Sequence, residues 1–208
     1  EDSDAWRSYT RAFIAEFAAR GGDEYEATVR DFASSENPDI AWRARRALAA
    51  RGLVDADAIE AWRSADGSGE AARMSVEALA SLPLEDARSR AWESVYSESL
   101  SNDFLTATLA GLNASSWEGV SGLDSAVDRL RPYWEAHTIG MALRYANGVL
   151  AYGLDIDREG SVERSVGLLR GWLDAHGDAP AQLRRIVLEH LDAFERDERV
   201  QRRWSSGQ

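Results

Sequence analysis

The 208-residue sequence has no cysteine and no lysine, and it contains only three histidines and four prolines. Without thiols, the chain can form neither disulfides nor thiolate metal sites. All 24 basic residues are arginines, and they stand against 36 acidic residues, which leaves a net charge of -12. Because such a chain repels phosphate groups, we expect neither nucleic acid nor an anionic membrane as a partner.

Motifs for catalysis are also missing. A zinc peptidase helix needs two histidines one turn apart with a glutamate between them. His137, His176 and His190 are far apart in the sequence, and no His-Glu-x-x-His occurs. There is no Gly-x-Ser-x-Gly elbow and no phosphate-binding glycine loop followed by lysine. We therefore expect no catalytic, cofactor-binding or metal-binding residue in this chain, and the substrate-binding residues stay unknown.

Two local features invite a functional interpretation. Residues 155–160 begin like a calcium loop, but the twelfth position is Val166 instead of the bidentate glutamate that the geometry needs, so a solvated turn is favoured. Trp117 lies in a Ser- and Gly-containing loop and is the tryptophan most expected to make an exposed contact. The arginine pairs at 45–46 and 184–185 are interpreted as solvated faces or as sites for a carboxylate.

Apolar residues recur at helical spacing through nearly the whole chain, and alternating β-branched runs are absent. The pattern predicts one helix over 123–134 and a central helix over 139–152 that is buried on several sides. Ser101 or Asn102 is expected to cap a helix, and Pro180 suits a first helical turn. The first apolar stripe consists of Trp6, Tyr9, Phe13 and Phe17.

Short loops between helices of about 10 to 18 residues indicate antiparallel helix pairs. We therefore expect an all-α fold and a single helical repeat domain over 1–208, in which stacked antiparallel helix pairs form a HEAT/armadillo-like α-α superhelix. The longest apolar stretch, 139–154, contains Arg144 and Asn147 and is too short to cross a bilayer. No signal peptide is visible, so we expect a cytoplasmic protein, and the immediate start of the helical pattern indicates a cut in a longer chain.

Three stretches, spread over about residues 39–199 and in a moderately specific order, resemble the C-terminal helical domain of aminopeptidase N-type zinc aminopeptidases of the actinobacterial type. The stretches are Asp39-Ile40-Ala41-Trp42, then Ala91-Trp92-Glu93 with Leu100-Ser101-Asn102, and finally Leu183-Arg184-Arg185-Ile186-Val187.

The resemblance implies a division of labour. In that family the zinc and the catalytic glutamate lie in an upstream thermolysin-like domain, and the helical domain closes over the active site as a cap that controls peptide access. The expected partners are that catalytic domain and a peptide substrate, whose C-terminal carboxylate meets positive side chains of the cap. Arg184 and Arg185 are the first candidates for this contact.

Two other functions fit the sequence. A stand-alone HEAT-like scaffold would bind a protein partner along a groove. A helical ligand-binding domain would instead enclose a pocket near Tyr133, Trp134 and Tyr145. The coding sequence upstream of this chain would distinguish the scaffold from the cap domain. A compact bundle with an internal cavity would favour the ligand-binding domain.

Overall fold

The computed structural model describes residues 3–97, 100–114, 123–151 and 161–205, and these residues form twelve α-helices and no strand. The all-α prediction is therefore confirmed. The helices are α1 (Asp4–Arg20), α2 (Asp23–Ala33), α3 (Pro38–Ala50), α4 (Ala56–Asp66), α5 (Gly69–Ala80), α6 (Glu85–Val95), α7 (Asn102–Ala114), α8 (Leu123–Asp128), α9 (Leu130–Ala136), α10 (Ile139–Ala151), α11 (Ser161–Ala175) and α12 (Ala181–Ser205).

Short polar side chains begin many of these helices. Asn37 accepts hydrogen bonds from the Asp39 and Ile40 amides, and Pro38 occupies the first turn, where its missing N–H costs nothing. The predicted Ser101 cap is confirmed, since its hydroxyl accepts from the Phe104 amide at 3.3 Å. Further side-chain caps are Ser3, Asp55 and Ser68.

The chain divides into two compact units, Glu1–Trp117 and Glu118–Gln208. In the first unit α1, α3, α5 and α7 pack in a row, each against the next, while α2 packs on α3, α4 on α5, and α6 on both α5 and α7. The prediction of one domain over 1–208 stays a prediction.

Alanine makes the close packing of the first unit possible. Helix α3 buries Ala41, Ala44 and Ala47 together with Trp42 and Leu48, all at most 3% exposed. Small side chains let neighbouring helices approach closely while larger ones fill the remaining space. Ile14 and Phe17 of α1 and Val29 of α2 complete this part of the core.

The second unit contains the antiparallel pair α11 and α12 together with the shorter helices α8, α9 and α10. Helix α10 contacts α8, α9 and α12, in agreement with the prediction of a helix covered on several sides. The prediction of one continuous helix over 123–134 is wrong, because the helix is interrupted at Arg129, between α8 and α9. Pro132 explains the break, since it has no N–H to bond to the Asp128 carbonyl and its ring clashes with that group.

No helix in the described ranges is both long and apolar enough to cross a membrane. Trp117 and residues 155–160, which the sequence singled out, lie outside the described residues.

Candidate functional site

A charged cleft of about 270 Å³ lies between α3 and α5 in the first unit. Its lining is rich in ionisable groups, and its apolar edge is formed by Pro38 and Met74. The charged side chains that line it are Asp39, Arg43, Arg46, Glu70, Arg73 and Glu77.

Helical spacing brings these groups together. Glu70, Arg73 and Glu77 project from one side of α5, because residues three and four apart share a helix face. Arg46 of α3 meets Glu77 across the cleft with Nη1 2.5 Å from Oε1, and Arg73 lies 3.8 Å from the other oxygen of the same carboxylate. Arg73 also binds Glu70 through two nitrogens. Glu77 is thus shared by two guanidinium groups.

Asp39 extends the network toward α1. Its two oxygens accept hydrogen bonds from the Nε atoms of Arg11 and Arg43, each at 2.9 Å. Burial raises the pKa of Asp39, but the bonds from Arg43 and Arg11 outweigh that effect and hold the pKa below its ordinary value of 3.8. The carboxylate is therefore ionised at neutral pH and joins α1 to α3.

The arginines differ in how readily they can accept a new partner. The Arg46 contact is covered, since the Glu77 side chain is only 10% exposed. The Arg73 contact with Glu70 is open, because Glu70 is 61% exposed. Hydrogen bonding from Arg73 lowers the pKa of Glu70, and the same bond raises the pKa of Arg73. An incoming carboxylate would meet less resistance at Arg73 than at Arg46, because at Arg73 it exchanges with a solvated glutamate.

A second cleft, of about 340 Å³, lies between α5, α6 and α7 and also touches the start of α4. Val76, Leu79 and Leu82 form its apolar wall. Arg90 is the single charged side chain in the lining, and it is exposed. Such a combination of an apolar cavity with few polar groups is typical of small-molecule sites.

A third concavity is an aromatic groove between α1 and α2. Trp6 and Phe13 each meet Phe32 edge to face, with ring centroids 6.3 Å and 6.1 Å apart. Tyr9 lines the same groove and is 83% exposed, although it belongs to the apolar stripe of α1. The buried residues of α1 are Thr10, Ile14 and Phe17.

The three histidines occupy separate positions. His137 and His176 each follow the end of a helix, place Nδ1 near the carbonyl oxygen four residues earlier, and stack on Tyr133 and Trp172 respectively. His190 lies on α12 with Nε2 3.5 Å from the Asn147 amide oxygen. Among the described residues no three His, Cys, Asp or Glu side chains come together as a metal site.

Arg184 and Arg185 have unequal environments. One nitrogen of Arg184 donates to the carbonyl oxygens of Leu173 and His176, at 2.9 Å and 2.7 Å, and so caps the C-terminal end of α11. Arg185 is exposed, and its one partner among the described residues is Glu189, one turn along its own helix. Arg184 therefore has a structural task, which the sequence pattern alone did not indicate.

Arg45, from the other predicted arginine pair, is also a packing residue. Its guanidinium carbon lies 4.9 Å from the ring centre of Trp42 and 5.3 Å from that of Trp62. Its Nε donates to the Ala33 carbonyl at the end of α2. Burial lowers the pKa of Arg45, and the charge of Asp66 opposes that effect. The side chain thus ties together three helices.

Two of the aromatic residues that the sequence places near a possible pocket, Tyr133 and Tyr145, stack on each other. The rings of Tyr133 and Tyr145 are 4.0 Å apart and nearly parallel, and His137 covers the other face of Tyr133 at 3.8 Å. The Tyr145 hydroxyl donates to the Ala126 carbonyl at 2.8 Å. A ligand therefore has no space between these rings.

Sequence reasoning did not single out Arg73 and Arg90. Arg73 stands three residues after Glu70 and four before Glu77, a pattern that predicts ion pairs on any exposed helix. Only the packing of α3 against α5 shows that these pairs line a cleft.

In comparisons with known proteins, neither the protein-family models nor the curated sequences gave a match to this chain.

Proposed function

We propose that this chain is the C-terminal cap domain of an aminopeptidase N-type zinc aminopeptidase. In this role the chain supplies no reacting group. It closes over the active site of an upstream catalytic domain, which holds the zinc, and limits which peptides reach it. The enzyme is expected to act in the cytoplasm.

The arrangement of helix pairs in the first unit supports this proposal. Helices α3, α5 and α7 begin at Pro38, Gly69 and Asn102, about 30 residues apart, and each packs on the next. We interpret the pairs α2–α3, α4–α5 and α6–α7 as HEAT-like repeats of a stacked α-α array.

A repeated sequence pattern agrees with that interpretation. Ala-Leu-Ala occurs near the end of α3, at 47–49, and again at the end of α5, at 78–80. Ala47, Ala49, Ala78 and Ala80 are all buried, as expected where stacked helices approach closely.

The stretches that resemble the aminopeptidase family fall on helices of this array or of the second unit. The first lies in α3, the second in α6 and at the Ser101 cap of α7, and the third in α12. Their order along the chain, together with the regular helix pairs, is the observation that carries the proposal.

The charged cleft offers a place for the substrate. A peptide that reaches the cap would present its C-terminal carboxylate to Arg73, which exchanges its solvated partner Glu70 for the new one. Arg46 and Glu77 would keep the cleft in shape during this exchange, because their contact is covered.

The gene tests the proposal directly. We expect the open reading frame to continue upstream for several hundred residues and to encode His-Glu-x-x-His with a more distant glutamate, the ligand set of a zinc peptidase. A start codon close to Glu1, or an upstream region without this motif, would contradict the proposal.

The second candidate is a stand-alone scaffold that binds another protein. The aromatic groove between α1 and α2 favours it, because exposed Tyr9 beside Trp6 forms the kind of surface that anchors protein partners. A complete gene that starts near Glu1 would favour this scaffold over the cap.

A further inference from the structure

The apolar cleft between α5, α6 and α7 has the features of a ligand site that is separate from the charged cleft. Its volume of about 340 Å³ falls within the range of known small-molecule sites. Leu82, Ala87 and Ala91 contribute buried apolar surface, and Leu79 and Val76 are partly exposed. An apolar group that enters this space would leave water and contact side chains on three helices.

Arg90 gives the cleft one positive charge. Within the described residues its guanidinium takes part in no ion pair or hydrogen bond, although Asp86 and Glu93 lie one helical turn away on either side. Most of the other arginines described above bind carboxylates or carbonyl oxygens. Arg90 therefore keeps five donors available for an anion at an apolar cavity.

The remaining polar groups of the lining limit what else can bind. The Ser94 hydroxyl donates to the Ala91 carbonyl at 2.8 Å, and the Thr108 hydroxyl donates to the Phe104 carbonyl at 2.8 Å. Both donors are used within their own helices. Apart from Arg90, the cleft therefore offers no side-chain donor to the carbonyl groups of a peptide backbone, which would lose water on entering it.

We propose that this cleft binds a free amphipathic monocarboxylate, with the carboxylate on Arg90 and the hydrocarbon part against Leu79 and Leu82. The ligand has one anionic group, matched to one arginine, and an apolar body, matched to the apolar wall. This site is independent of the aminopeptidase cap function, because it uses neither the charged cleft nor a catalytic domain.

Octanoate titrated into the full chain is the test, followed by NMR of methyl groups and by calorimetry. We expect saturable binding with the largest shifts at Leu79, Leu82 and Ala91. Octanamide, which has the same chain without the charge, should bind about tenfold more weakly. Equal binding of the two probes, or shifts centred on Trp6 and Phe32 of the aromatic groove, would overturn the proposal.

Two variants examine the two halves of the site. Arg90→Gln should weaken octanoate binding about tenfold and leave octanamide unaffected, since only the carboxylate meets this residue. Ala56→Leu, at the exposed start of α4, should weaken both probes because it fills the cleft. Arg20→Gln, which changes an exposed arginine at the end of α1, is the matched control and should alter neither.

N-acetyl-leucine distinguishes the source of the carboxylate, because it imitates the last residue of a peptide. We expect it to bind more weakly than octanoate, since its amide carbonyl finds no donor in the cleft once Arg90 holds the carboxylate. Tighter binding of N-acetyl-leucine, or unchanged octanoate affinity in Arg90→Gln, would show that the cleft is not a site for a free amphipathic acid.

Discussion

Gly111 lies where α5 and α7 touch backbone to backbone. A Cβ atom at this position would be 2.2 Å from the Glu77 carbonyl oxygen and 2.7 Å from the Ala80 Cβ. Gly111→Ala should therefore lower the free energy of unfolding by about 1–3 kcal/mol, the usual cost of overpacking. Urea denaturation measures the change.

Gly171 provides the matched control for this substitution. It lies in the interior of α11, and an added Cβ would meet nothing within 4 Å. Gly171→Ala should raise the free energy of unfolding by about 0.5–1 kcal/mol, because alanine favours a helix more than glycine does. Equal effects of the two substitutions would contradict the close contact of α5 and α7.

The ion pair of Arg46 and Glu77 should be the strongest coupling in the charged cleft. Glu77→Gln removes the negative charge and leaves the largely covered Arg46 guanidinium without an opposite charge beside it, at a cost of about 1–3 kcal/mol. A double-mutant cycle with Arg46→Met isolates the pairwise part. The exposed pair Arg185 and Glu189 should give only about 0.3–0.5 kcal/mol in the same cycle. Equal coupling in the two cycles would show that burial adds nothing to the Arg46 contact.

His190 should make stability depend on pH. Burial lowers its pKa below the ordinary value of 6.5, and the charge of Glu189 opposes that effect. The unfolded chain therefore binds a proton at His190 more readily than the folded chain, and stability is lost as pH falls through 6.5 and below. His190→Gln should remove that part of the slope.

The difference between the unfolding free energies of the wild type and His190→Gln, followed from pH 7.5 to 5.5, isolates this residue from the other histidines. As the pH falls, the free energy of unfolding of the wild type should decrease relative to that of His190→Gln. A constant difference would mean that His190 has the same proton affinity in both states.

At the scale of the helix, Arg184 holds the junction of α11 and α12. Arg184→Met keeps most of the apolar stem and removes the bonds to the Leu173 and His176 carbonyls, so it should cost about 1–2 kcal/mol. Arg185→Met changes a neighbouring arginine with only a surface pair and should cost less than about 0.5 kcal/mol. Denaturation of both variants checks the ranking, and similar losses would contradict the capping role.

Helix positions and caps could be predicted from the sequence because they depend on local chemistry. Ser101 caps α7 as expected, and Pro180 immediately precedes α12. The apolar periodicity alone predicts one helix across α8 and α9, and Pro132 interrupts it. Its consequence is also local and follows from the missing N–H.

The tasks of individual side chains could not be predicted in the same way, because they depend on contacts between distant segments. Arg45 and Arg184 look like solvated arginines in the sequence, yet one packs between Trp42 and Trp62 and the other binds carbonyl groups. Tyr9 belongs to an apolar stripe and is nevertheless exposed. Periodicity predicts that a helix has an apolar face but not how much of that face its neighbours cover.

At the scale of the whole molecule, the chain consists of two compact units built from packed helices. The ionisable groups described above mostly hold those helices together. Among the described residues, the clefts at Arg73 and at Arg90 are places where a charged ligand would displace little of that structure. In the proposed role as a cap, the chain would limit which peptides reach the active site of a separate catalytic domain.

Hydrolysis of a peptide series tests this claim most directly. The peptides share one N-terminal residue and differ in length, and their rates are compared between the parent enzyme and a form without residues 1–208. We predict that the parent discriminates by length and that the shortened form loses most of this discrimination while still cleaving a small aminoacyl anilide. The same dependence on length in both forms would contradict the account.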